Sequence, residues 1–92
     1  MTAMQALFET IQDRKLDPPV GSYTATLFEK GENEILKKIG EEAVEVIIAA
    51  GSEGDDRVLY EMADMFYHSL VLLASRGLTL ADLENELSSR FK

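Results

Sequence analysis

Apolar residues recur along this chain at helical spacing. Met4, Leu7, Phe8 and Ile11 follow the i, i+3, i+4, i+7 rule and predict a first amphipathic helix. The segment LDPPVGSY interrupts it, because paired prolines cannot continue a helix. Ser22 or Thr24 is placed to cap a short helix through Leu27 and Phe28 that ends at Gly31. A long helix follows from about Glu32 to Ala50 and stops at Gly51. Asp55 is placed to cap another, running to about Arg76 and closed by Gly77. Thr79-Leu80-Ala81-Asp82 resembles a capping box, with Asp82 in place of Glu or Gln, and opens a last helix to about Arg90. The spacing of Gly31, Gly51 and Gly77 matches no phosphate-binding loop, so these glycines read as helix stops. No stretch alternates with period two. The expected fold is all-α, a small bundle of about four to five helices in a single domain over residues 1–92.

The two long helices differ in where they carry charge. On a wheel of about 100° per residue, Ile35, Leu36, Ile39, Ala43, Val46, Ile47 and Ala50 fill an arc of roughly 120°, an ordinary core stripe. Glu42 falls about 20° outside that arc, with Glu45 and Glu41 beyond it at steps of about 60° and 40°. Like charges at these spacings oppose helix formation by roughly 0.2–0.5 kcal/mol per pair, and Lys37 and Lys38 offset part of it. A solvated acidic face accounts for this helix taken alone. The helix from Asp55 is apolar around nearly its whole circumference. Arg57, Glu61, Asp64, His68 and Ser75 share a polar strip about 60° wide. Such a helix lies at the centre of a bundle or in an oligomer interface, where acidic residues are costly unless paired, hydrogen-bonded or bound to a cation.

Composition narrows the class. The chain has 92 residues, 46% hydrophobic and 28% charged, the balance of a folded globular domain. Its net charge of −8 tells against nucleic acid as a partner. It contains no cysteine and one histidine, which excludes disulfides, a thiol nucleophile, cysteine-based zinc sites and two-histidine metal motifs. Its start lacks the basic and apolar regions of a signal peptide, and no apolar run approaches the ~20 residues of a membrane span. The expectation is a cytoplasmic protein that does not engage membranes.

If the two long helices pack antiparallel, Glu41, Glu42, Glu45, Glu61 and Asp64 bring five carboxylates to one pocket. So much negative charge in a small volume requires a cation. Oxygen donors without Cys or paired His select hard ions, Mg²⁺ first among them. Mg²⁺ keeps coordination positions open for water and phosphate, which lets an acidic protein bind a polyphosphate. Lys37 and Lys38, with Lys30 or Arg57, are available to complete an anion cradle.

The pattern Glu41-Glu42-x-x-Glu45 followed by Glu61-x-x-Asp64 resembles the metal-binding signature of the all-α nucleotide pyrophosphohydrolases, the MazG-like superfamily. GSYTATLFEKG (Gly21 to Gly31), KKIGEEAVEV (Lys37 to Val46) and EMADMFYHSLVLL (Glu61 to Leu73) resemble, more narrowly, the phosphoribosyl-ATP pyrophosphatase family, with a likeness running from Leu7 to Arg90. The resemblance implies Mg²⁺-dependent hydrolysis of phosphoribosyl-ATP to phosphoribosyl-AMP and pyrophosphate, the second step of histidine biosynthesis. It implies the stand-alone form, without the cyclohydrolase to which this domain is fused in many organisms, and a homodimer.

The resemblance also suggests roles. Glu41, Glu42, Glu45 and Asp64 are candidate metal ligands, and Glu61 is a ligand or the group that orients the attacking water. Glu42, Glu45 and Glu61 are the candidate catalytic carboxylates, one of which takes the proton. Lys37 and Lys38 are candidates to steady phosphates, or are solvated helix charges. Ser22, Tyr23 and Thr24 offer hydroxyls to phosphate or ribose, or serve capping alone. His68 is a substrate contact, a hydrogen-bond partner of Asp64, or a satisfied core residue. Two other functions fit the residues: a house-cleaning nucleoside triphosphate pyrophosphohydrolase, and a non-catalytic helical dimerisation module.

Overall fold

The computed structural model describes residues 1–91, and every regular element in it is helical. The five helices are α1 (Ala3–Leu16), α2 (Tyr23–Lys30), α3 (Glu32–Ser52), α4 (Asp55–Ser75) and α5 (Leu80–Ser88). Local chemistry sets their ends. Thr2 and Gln5 close a reciprocal capping box on α1, and Thr79 and Asp82 close another on α5. Ser22, not Thr24, caps α2, its hydroxyl accepting from the Ala25 amide at 3.1 Å. The α4 C-terminus closes on Gly77 in a Schellman arrangement, with Gly77 N–H donating to Ala74 O and Leu78 N–H to Leu73 O at 2.9 Å.

Three boundaries differ from the sequence reading. α3 runs through Gly51 to Ser52, because a glycine weakens a helix without obliging it to end. The chain reverses instead at Gly54, whose φ of 98° is open to glycine and strained for other residues. Gly54 therefore occupies the cap of α4, and Asp55 is its first helical residue, where its charge still favours the helix N-terminus. α5 ends at Ser88, two residues short of Arg90.

α3 and α4 form an antiparallel hairpin of two 21-residue arms, each about 31 Å long. α1 packs on α4, and α2 bridges α1, α3 and α4. The core comprises Phe8 and Ile11 of α1, Leu27 of α2, Ile35 of α3, Leu70, Val71 and Ala74 of α4, and Leu80 of α5. These residues gather where α3 begins and α4 ends. Lys15 Nζ donates to Ala74 O at 2.6 Å, and Arg76 pairs with Glu32 at 2.6 Å, so cations tie the same end together.

Among the described residues no helix covers the opposite end of the hairpin. Val44, Ile47, Ile48, Leu59 and Tyr60 are exposed there, Ile47 to 71% and Leu59 to 67%. The radius of gyration, 14.2 Å, exceeds the about 12 Å of a compact chain of this length. The α3 stripe is accordingly rotated from the expected one: Ala49 and Glu42 are buried, whereas Leu36, Ile47 and Ala50 are exposed. An apolar arc of 120° is wider than one helix contact, so only one edge of it meets α4. Among the described residues no helix is long and apolar enough to cross a membrane.

Candidate active site

The antiparallel register turns the polar strip of α4 onto α3, where the two acidic faces meet. Glu42 of α3 is 9% exposed, and Glu61 and His68 of α4 are each 4% exposed, so three ionisable groups occupy positions a helix pair normally gives to aliphatics. Asp64 is half-buried one turn from His68, and Glu45 lies one turn from Glu42 at the open side. Glu41 sits apart. It is exposed and held by Lys37 at 3.9 Å and Lys38 at 3.7 Å. Four of the five expected carboxylates therefore line one seam, and the fifth flanks it. As they stand, no three or more Asp, Glu or His side chains converge on a metal-sized point among the described residues.

Partners within the seam are incomplete. Arg57 donates to Glu61 Oε1 at 2.6 Å, leaving Glu61 Oε2 buried with no hydrogen-bond partner. His68 Nδ1 lies 2.6 Å from Glu42 Oε1. Its N–H, however, is directed at the Asp64 carbonyl at 3.0 Å, so Glu42 Oε1 is in close contact without accepting a hydrogen bond. Two buried carboxylate oxygens thus lack a donor, a costly state for a helix interface. Proton affinities respond. The neighbouring Glu45 carboxyl group acts with burial to push Glu61 up to about 7, against the opposing pull of Arg57. Burial also raises Glu42, with His68 opposing the shift and Asp64 and Glu45 adding to it.

Beside the seam opens a cleft of about 460 Å³ lined by Glu45, Ile48, Glu53, Arg57, Tyr60, Glu61 and Asp64. Arg57 stacks over the Tyr60 ring at 4.4 Å while it holds Glu61, which places a guanidinium at the wall. Of the cations considered from sequence, Arg57 reaches the cleft, whereas Lys37 and Lys38 attend Glu41. Tyr60 and Glu53 escaped the sequence reading. Tyr60 falls outside the polar strip of its helix, and no motif marks Glu53. The three N-terminal hydroxyls are engaged internally: Ser22 caps α2, Tyr23 bonds His68 at 3.1 Å, and Thr24 bonds Tyr67.

An all-α hairpin that buries opposed carboxylates beside an arginine-walled cleft has the donor set of a site for a cation and an anionic ligand. Residues 4–91 match the phosphoribosyl-ATP pyrophosphohydrolase family, and the chain belongs to that family. It is 51% identical over 90 residues to the phosphoribosyl-ATP pyrophosphatase of Lactiplantibacillus plantarum, covering 98% of this chain and 85% of that one. It is 57% identical over 84 residues to the phosphoribosyl-ATP pyrophosphatase of Pelotomaculum thermopropionicum, covering 91% and 86%. Against the histidine biosynthesis bifunctional protein HisIE of Caldanaerobacter subterraneus it is 49% identical over 89 residues, covering 97% of this chain but 43% of that longer protein.

The raised Glu61 value sets a pH dependence. Its folded-state value lies above that of an unfolded glutamate, so protonation favours the folded state. The contribution is present in full below about 4.5 and is lost as pH rises through about 7. In chelator, the thermal midpoint should fall as pH is raised from 5 to 8, and Glu61→Gln should flatten that slope. An equal slope in wild type and variant, followed by circular dichroism, would show that Glu61 does not titrate in this window.

Proposed function

We propose that this chain hydrolyses phosphoribosyl-ATP to phosphoribosyl-AMP and pyrophosphate with Mg²⁺, the second step of histidine biosynthesis, in the cytoplasm. The observation that carries the reading is the pair of buried, donor-less oxygens, Glu42 Oε1 and Glu61 Oε2, in a seam that opens onto the cleft. An all-oxygen donor set of this kind fits a hard divalent cation. Glu42, Glu45, Glu61 and Asp64 would hold it, with Glu41 flanking. When bound, Mg²⁺ neutralises phosphate charge and acidifies a bound water.

The chain's own groups supply the rest. Arg57, at the cleft wall, is positioned for a phosphate oxygen, since its guanidinium presents further N–H donors besides those on Glu61. Glu61, with its proton affinity near neutrality, is suited to take and return a proton in the working range. Glu45 beside it can share that proton, and Glu42, rigidly packed against His68, fixes the inner wall of the seam. Lys37 and Lys38 contribute positive potential from the rim through Glu41. The net charge of −8 weighs against nucleic acid as a partner. The exposed apolar flank of the hairpin, with Val44, Ile47, Ile48, Leu59 and Phe66, fits a second copy of the chain and a homodimer.

The test is pyrophosphate release from phosphoribosyl-ATP, with and without Mg²⁺, beside a panel of nucleoside triphosphates. The expected result is Mg²⁺-dependent release specific to phosphoribosyl-ATP, reduced at least about 100-fold (roughly 2.7 kcal/mol) in Glu42→Gln. That variant should fold at least as well as the wild type, because it removes a buried charge. Release from the triphosphates alone would assign a house-cleaning activity instead. No release from any of them would leave a helical dimerisation module. Sedimentation should give twice the chain mass for the wild type and a lighter species for Ile47→Glu. A monomeric wild type would refute the dimer.

A further inference from the structure

Arg57 stands where a helix does least for a cation. It is the third residue of α4, in the first turn, where the helix dipole favours negative charge. It also precedes its partner Glu61 by four residues, the weaker of the two orders for an i, i+4 pair. Glu53, Asp55 and Asp56 are exposed carboxylates close to it in sequence, yet the one ion pair Arg57 makes among the described residues is with buried Glu61. Local helix preference does not account for where this guanidinium sits. Tyr60 accounts for it. Three residues on along α4, its ring lies beneath the guanidinium, with Arg57 Cζ 4.4 Å from the ring centroid. The ring is 57% exposed and lines the cleft together with Arg57 and Glu61.

The guanidinium is thus bounded on one plane by the aromatic face and on one edge by Glu61 Oε1 at 2.6 Å. A guanidinium carries five N–H donors in a fixed fork, and the Glu61 contact uses one of them. Held on a plane and an edge, the fork has a set direction, and its remaining donors lie at the cleft wall. A half-exposed arginine without such a seat samples many rotamers and loses that freedom when it binds a ligand. We propose that Tyr60 is a positioning residue whose ring holds Arg57 against Glu61 and so pre-orders the donors that meet a phosphate oxygen of a polyphosphate ligand. The role belongs to the ring face and not to the hydroxyl, so phenylalanine should serve in its place and leucine should not. The seat stands on the geometry of α4 alone, whereas the ligand contact rests on the function proposed above.

Two measurements separate the seat from the ligand contact. In chelator at pH 6, ¹H–¹⁵N spectra resolve the Nε–Hε signals of the four arginines, and Arg57→Ala identifies its own by loss. That signal should be displaced upfield by the ring in the wild type and in Tyr60→Phe. It should return to the ordinary arginine position in Tyr60→Leu, a substitution that keeps apolar bulk and helix propensity. An Arg57 signal indifferent to Tyr60→Leu would overturn the seat. With Mg²⁺ present, calorimetry should show binding of inorganic pyrophosphate weakened about 3- to 10-fold in Tyr60→Leu and kept within about 1.5-fold of wild type in Tyr60→Phe. In an Arg57→Ala background, Tyr60→Leu should cause no further loss. No binding by the wild type, equal binding by Tyr60→Leu, a Tyr60→Phe as weak as Tyr60→Leu, or the same loss without Arg57 would each overturn the positioning role. If the wild type binds pyrophosphate but does not turn over phosphoribosyl-ATP, the proposed function fails, while the spectra and the binding series still decide the role of Tyr60.

Discussion

The contact between α3 and α4 buries two carboxylates and an imidazole where a helix pair usually packs aliphatic side chains, and the rest of the structure accommodates that. A seam with two donor-less oxygens weakens the hairpin that contains it. Stability must come from elsewhere, and the helices are arranged accordingly. α1, α2 and the start of α5 gather at the far end of the hairpin around Ile35, Val71 and Ala74, where packing is dry and the ends are tied by Lys15 and Arg76. One end of a long hairpin thus supplies the core, which leaves its middle free to hold charge.

The same division bears on chemistry. Groups that repel one another or lack donors have shifted proton affinities, and the raised Glu61 and Glu42 values follow from crowding and burial in the seam. Arg57 meets part of that charge from the cleft side, and the His68 ring packs against Glu42 from the core side, so the carboxylates are held between a half-exposed guanidinium and a buried ring. The overall charge of −8 is then no obstacle to an anionic ligand, provided a cation joins the two.

Much of this was legible in the residues. Capping chemistry places the starts of α2 and α5 within a residue or two, apolar spacing marks α1, and the strip shared by Glu61, Asp64 and His68 on a mostly apolar helix points to a buried acidic face. EExxE and ExxD reach the superfamily, and the segments Gly21 to Gly31, Lys37 to Val46 and Glu61 to Leu73 carry the resemblance to the family that the match over residues 4–91 shows. What the wheel could not give was which edge of the wide α3 arc meets α4. Glu42, placed just outside the arc, proved to be inside the contact, and Ile47 and Leu36 proved to be outside. Gly51 does not stop α3 because a helix is ended by its whole surroundings and not by one flexible residue, and the chain reverses at Gly54, three positions later. The commitments of Tyr23 and Thr24 depend on distances between helices, which no spacing within one helix encodes.

The claim that the buried seam is a cation site can be tested by the protons it releases. Mg²⁺ binding to a carboxylate that titrates near 7 must displace a proton from part of the population at that pH. Calorimetric titration with Mg²⁺ at pH 7, repeated in buffers of different ionisation enthalpy, measures that displacement. The expected result is saturable binding with about half a proton released per chain, falling toward zero at pH 8.5 and absent in Glu61→Gln. Binding without proton release at pH 7, or no binding at millimolar Mg²⁺, would contradict the account.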